Sequence, residues 1–166
     1  MSSSEELARR LIEEGFNRGD LGVADEVISP DQVEHQPYGP DHAPGAEGVK
    51  AVISSLRRTF SDFHLAIEDL VVDGDKVWLR MTGTGTNDGS FMGNPPTGRR
   101  MRIDIFDVVR IEGGRIAEHW GVPDRLSTLF QLGLAQPPGA PAPSAEATGP
   151  GAEVDLARTG SRDRVG

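Results

Sequence analysis

The stretch His64–Thr86, HLAIEDLVVDGDKVWLRMTGTGT, decides the fold. Apolar residues alternate loosely through Leu65, Ile67, Leu70 and Val71. The Asp73-Gly74-Asp75 step then holds an Asp-Gly pair, a strong signal for a tight hairpin, and Lys76–Thr86 runs back as a second strand. A third strand is expected at Arg99–Glu112. Gly113-Gly114 turns it into a fourth, Arg115–Trp120 and a little beyond. Gly83-Thr84-Gly85 sits mid-strand, where glycine marks a bulge or bend. Asn94-Pro95-Pro96-Thr97-Gly98 interrupts regular pairing between the second and third strands. Asp124 is placed to cap a last helix, Arg125–Leu132, that Gly133 ends.

Upstream the period changes from two to that of a helix. Ser4 precedes Glu5 and Glu6, an acidic first turn, and Leu7, Ala8, Leu11, Ile12 and Phe16 share one face. Gly19 ends this helix. Leu21–Ile28 reads as a second, shorter helix stopped by Ser29-Pro30, and Val33-Glu34-His35 as a short extended piece. Gln36 to Gly45 is a Pro/Gly loop. A third helix is expected from about Glu47 to Phe60, with Val49, Val52, Ile53, Leu56 and Phe60 as its apolar stripe. Three helices followed by four hairpin-linked strands is α+β. The expected architecture is a cone-shaped α+β barrel, a strongly curved antiparallel sheet wrapped around the three N-terminal helices, with one open mouth.

Composition bounds the rest. The chain has 166 residues, no cysteine and a net charge of −9. A disulfide framework or thiolate metal site is impossible. The charge disfavours nucleic acid and anionic membranes as partners. The N-terminus lacks the apolar core of a secretory signal, so the expected location is the cytoplasm. From Gln136 the chain is rich in Pro, Gly, Ala and Ser, with almost no large apolar residue. We expect a folded domain over 1–135 and a disordered tail over 136–166. His35, His42, His64 and His119 match no metal-ligand spacing, so no metal is expected.

Several pieces, taken in order, carry a family resemblance. They are His35 before the Pro/Gly loop, Phe60-Ser61-Asp62, and Asp69-Leu70-Val71-Val72-Asp73-Gly74-Asp75-Lys76-Val77. Arg80-Met81-Thr82-Gly83-Thr84-Gly85-Thr86, Phe91-Met92-Gly93-Asn94-Pro95-Pro96-Thr97-Gly98-Arg99 and Ile103-Asp104-Ile105-Phe106 follow. Gly113-Gly114-Arg115-Ile116-Ala117-Glu118-His119-Trp120, Asp124 and Gln131-Leu132-Gly133 complete the series. Together they resemble a SnoaL-like ester cyclase of the nuclear transport factor 2-like superfamily. The resemblance implies a conical pocket, no cofactor, and a homodimer or homotetramer built by sheet packing. It also implies intramolecular aldol ring closure of a polyketide ester by one carboxylate acting as acid and base. Two departures stand out. Relatives reading Gly-Thr-His-x-Gly are matched here by Gly85-Thr86-Asn87-Asp88-Gly89. Terpene-epoxide hydrolases carry Arg-x-Asp where this chain has Arg80-Met81-Thr82, which argues against epoxide hydrolysis.

An aldol cyclisation needs a base beside a carbonyl, a group that steadies the enolate, and an acid for the new alkoxide. Alternation places Met101, Ile103, Ile105 and Val109 on one face of their strand, and Arg102, Asp104, Phe106 and Val108 on the other. Asp104, beside Phe106, is a candidate acid/base or a solvated partner of Arg102. Asp124, where the resemblance places a pocket Asp, is the second candidate, and the helix cap coexists with that role. His119 and Trp120 point to opposite faces, so one of them faces the pocket. His35 precedes a loop expected at the rim. Tyr38, Trp78 and Arg80 add walls, Arg80 by fixing a substrate carboxylate or ester, or as half of a salt bridge. The candidate catalytic set is therefore Asp124, Asp104, His119 and His35. The candidate substrate-binding set is Tyr38, Trp78, Arg80, Phe106 and Trp120, and the ligand is a small hydrophobic molecule. Two other readings stay open: a non-catalytic pocket protein of the same fold that binds a small molecule, and an interaction module using the sheet face.

Overall fold

The Asp73-Gly74-Asp75 turn forms as its composition requires, with Gly74 at φ 62°, a left-handed conformation that favours glycine. It joins β2 (His64–Asp73) to β3 (Lys76–Thr86). The computed structural model describes residues 3–36 and 43–139. Tyr38 and His42 lie outside them, as do residues 140–166 of the expected tail. The N-terminal helix runs as α1 (Ser3–Arg10) and widens into a π-helical segment, Leu11–Asn17. Then come α2 (Gly22–Val27), β1 (Ile28–Glu34) and α3 (Gly45–Thr59). The hairpin β2–β3, β4 (Arg100–Glu112), β5 (Arg115–Pro123) and α4 (Arg125–Leu132) complete the domain. Among the described residues no helix is long and apolar enough to cross a membrane.

One sheet has the order β1-β5-β4-β3-β2. The pairs β2–β3, β3–β4 and β4–β5 are antiparallel, as the hairpin signals require, whereas β1 lies parallel to β5. The second helix stops before Ser29-Pro30 as expected, but the fifth strand starts at Ile28 and runs through those residues into the extended piece expected at Val33. Pro30 is tolerated because β1 is an edge strand, where one side of the backbone has no ladder to feed. The sheet is not closed: β1 and β2 are its two edges, and the helices supply the rest of the wall.

The inner face is apolar. Val77, Leu79 and Met81 of β3, Met101, Ile103, Ile105 and Val109 of β4, and Ile116 of β5 are all buried. They pack against Ala8, Leu11, Ile12, Val23, Val27 and Phe60 from the helical layer. The mid-strand glycines serve a close approach instead of a bulge. A Cβ on Gly85 would lie 2.8 Å from that of Phe60. The register shift is in the partner strand, between Ile67 and Asp69.

Two side-chain amides complete exposed stretches of the ladder. Asn17 donates to the Leu65 carbonyl (2.9 Å) and accepts from the Leu65 amide (2.7 Å), covering the β2 edge. Gln131 of α4 does the same for Arg102, at 2.8 Å in each direction, beyond the point where β5 stops pairing with β4. Buried backbone groups need such partners.

Asn87, one of the two departures from the resemblance, is fully buried. Its amide donates to the carbonyls of Gly89 (2.8 Å) and Thr59 (3.4 Å), and its Oδ1 accepts from the Thr97 amide and hydroxyl, both at 2.9 Å. It pins the Pro/Gly segment between β3 and β4 to the end of α3. We expect Asn87→Ala to lower unfolding free energy by about 2–3 kcal/mol in urea titration, because it strands buried partners.

Candidate functional site

The inner face of the sheet changes character at one end. Alternation along β4 carries Met101, Ile103, Ile105, Asp107 and Val109 to the same side, so Asp107 is a carboxylate in an apolar row. It pairs in register with Gly121 of β5 and Leu79 of β3. His119 of β5 is in register with Val109 on one side and Glu34 of β1 on the other. The parallel edge strand thereby delivers Gln32 and Glu34, two residues apart, to the same face.

Gln32, Asp107 and His119, with Glu34 behind His119, border a cavity of about 90 Å³ beneath the helices. Its wall is apolar, with Leu11, Ile12, Leu56, Phe63, Met81 and Ile105 among its lining, except for Gln32, Asp107 and His119. His119 Nδ1 lies 2.7 Å from Glu34 Oε2, and its Nε2 lies 3.4 Å from Asp107 Oδ2. The side chains of Glu34 and Asp107 are 8% and 18% exposed, so both interactions act with little water between the charges. Burial alone would push the imidazole down. The hydrogen bonds to Asp107 and Glu34 overcome it and raise its pKa from 6.5 to about 9. At neutral pH His119 is an imidazolium between two carboxylates. Gly121 provides the space, since a Cβ there would sit 2.7 Å from Asp107 Oδ1 and 2.7 Å from His119 Cε1.

Of the residues singled out from the sequence, His119 alone lines this cavity among the described residues. Trp120 and His35 take the opposite face. Their rings stack at 4.3 Å with planes 4° apart. His35 Nε2 lies 2.8 Å from Glu118 Oε2, and Arg110 donates to the other oxygen at 2.5 Å. The His35 contact, then Arg110, holds the Glu118 carboxyl below the usual range. Trp78 is half exposed on the outer face. Arg80, also there, pairs with Asp69 at 2.6 Å instead of Asp104 or Glu118.

Asp104, Phe106 and Asp124 border an open outer groove of about 780 Å³, together with Val122 and Leu126. Asp124 accepts from the Ser127 amide at 2.9 Å, the helix-cap role. Asp104 and Asp124 therefore share no cavity with His119, and the inward carboxylate of β4 is Asp107. Its signal was present in the sequence as the charged break in the row Met101, Ile103, Ile105, Val109. Glu34 and Gln32 had no such signal, because their placement depends on the β1–β5 pairing. No group of three or more His, Asp or Glu suited to a metal occurs among the described residues.

Comparison with known proteins gives a consistent result. The family model described as SnoaL-like polyketide cyclase matches residues 6–132. Aklanonic acid methyl ester cyclase DnrD from Streptomyces peucetius is 31% identical over 144 residues, covering 82% of this chain and 95% of DnrD. The structure of TsrD from Streptomyces laurentii superposes with a TM-score of 0.73 at 34% identity, over 80% of this chain and 96% of TsrD. That of IdmH from Streptomyces antibioticus gives 0.69 at 36%, over 80% and 99%.

Two outcomes are expected of the charge cluster. The His119 ring should titrate near pH 9 by NMR. Because the folded pKa is raised, its stabilisation is fully present below about pH 6.5 and fades as pH rises through about 9. His119→Gln should lack that component in pH-dependent unfolding, and a ring titrating near 6.5 would contradict the assignment. Gly121→Ala should destabilise by about 1–3 kcal/mol, because the added methyl displaces Asp107 and His119.

Proposed function

The chain belongs to the SnoaL-like polyketide cyclase family, and we propose that it closes a ring in a polyketide methyl ester by intramolecular aldol addition, with Asp107 as base and the His119 imidazolium as acid. One observation carries the reading: Asp107 and His119, 3.4 Å apart, are the ionisable side chains in a wall that is apolar except for them and Gln32. The Asp107 carboxylate takes a proton from the carbon beside a carbonyl. The resulting enolate carbon attacks a ketone of the same molecule, forming the C–C bond as the ketone π pair moves onto oxygen. His119 Nε2–H protonates that alkoxide, and the proton held by Asp107 returns to Nε2. Nothing is lost or gained, so product and substrate are isomers and no co-reactant is needed. The long Asp107–His119 contact suits this, since Nε2–H is not fully committed to the carboxylate. Glu34 holds Nδ1 and keeps the ring oriented, as a positioning residue.

The cavity volume makes a demand on this mechanism. About 90 Å³ is far below the ~300 Å³ or more of typical ligand sites. Substrate entry therefore requires the helical side of the wall, α1 and α3, to yield. We also propose that two copies associate through the outer sheet face. Val71, Trp78, Phe106 and Val122 are 59%, 51%, 55% and 59% exposed there, large apolar side chains that association would cover.

The test uses aklanonic acid methyl ester, the substrate named for the relative DnrD. Conversion to an isomer of unchanged mass is expected, followed by chromatography with mass detection. Asp107→Asn should lower kcat by about 10²–10⁴-fold, whereas Asp104→Asn and Asp124→Asn should leave it within a few-fold. An Asp107→Asn enzyme of undiminished turnover would remove the mechanism. Saturable binding without turnover would identify a pocket protein instead.

A further inference from the structure

The mechanism leaves one inward polar group unused. Gln32 is 3% exposed and lines the cavity from β1. Its Nε2 donates to the Val33 carbonyl at 3.1 Å. That contact fixes the amide, because turning it over would set Oε1 against another oxygen. Oε1 is thus the free end, and it has no hydrogen-bond partner, the one buried side-chain polar atom so placed among the described residues. A buried acceptor left unmade is costly. Leucine or methionine would fill the same space without that cost. The position is one strand step from Glu34, on the face that carries His119 and Asp107.

We infer that Gln32 is a substrate-positioning residue whose Oε1 accepts a hydrogen bond from a phenolic or enolic hydroxyl of the ligand. The inference rests on the reading that substrate binds in this cavity. A donor is required because the amide oxygen can only accept. A neutral hydroxyl fits better than an ammonium, because the His119 imidazolium already occupies this end of the pocket and like charges in an apolar setting repel. By anchoring that hydroxyl, the contact would also set which carbon beside a carbonyl faces Asp107, which makes Gln32 a determinant of regiochemistry.

Phenol and toluene are a matched pair of probes, alike in shape and differing in the donor. Binding of each to the full chain is measured by NMR titration, for wild type, Gln32→Met and Gln32→Leu. Wild type should prefer phenol, and both variants should weaken phenol by about fivefold to tenfold while binding toluene as well or better. Their thermal midpoints should stay at or above wild type, since a stranded acceptor has been removed. Equal loss of both probes, a midpoint that falls with them, no phenol preference in wild type, or no binding of either probe would each overturn the inference. The cyclase reading is separable. Failure of Asp107→Asn to affect turnover leaves the phenol–toluene contrast intact, and a missing contrast leaves the Asp107 result standing.

Discussion

The clamp on His119 organises this end of the molecule. One imidazolium holds Glu34 from the strand on one side and faces Asp107 from the strand on the other, so three strands meet at a single ring. Neither carboxylate could sit in so apolar a setting unpaired, since an isolated buried charge is far more costly than a paired one. The ring in turn keeps its proton because both carboxylates are there. The same arrangement that stabilises the sheet edge therefore supplies an acid beside a base, and the absence of a side chain at Gly121 is what lets them approach.

The hairpins were the most legible part of the sequence. Local chemistry determines them: Gly74 at a left-handed turn, Gly113-Gly114 at another, Asp124 and Gly133 bracketing the last helix. Such signals act over a few residues and need no knowledge of the rest of the chain. The β1 strand was legible only at its end, as the extended piece beginning at Val33; its start was not, because Ser29-Pro30 locally opposes a continuous element and only the β5 edge makes it one. A fifth strand lying parallel is a tertiary fact.

The site was legible in part for the same reason. His119 followed from strand alternation, and so did its division from Trp120. Asp104 is a candidate by its place beside Phe106 and Asp124 by the resemblance, yet the pleat sends Asp104 outward and Asp124 caps a helix beside it. The inward position of β4 is Asp107, three residues along, hidden within an apolar row. The departure at Asn87 also has a physical meaning. Four hydrogen bonds from one amide hold a loop that contains two prolines, so the residue anchors the backbone well away from the charge cluster.

The parallel pairing of β1 with β5 also governs when the clamp on His119 is complete. Glu34 and His119 are 85 positions apart, whereas β2 to β5 fold through adjacent hairpins. Contacts of such long separation close large loops and tend to form after local ones. During synthesis the helices and most of the sheet can assemble while β5 is still emerging, and the contact between Glu34 and His119 cannot. The edge strand docks onto β5 only when β5 exists. The full clamp on His119 therefore exists only once β5 has joined the sheet and β1 has docked beside it.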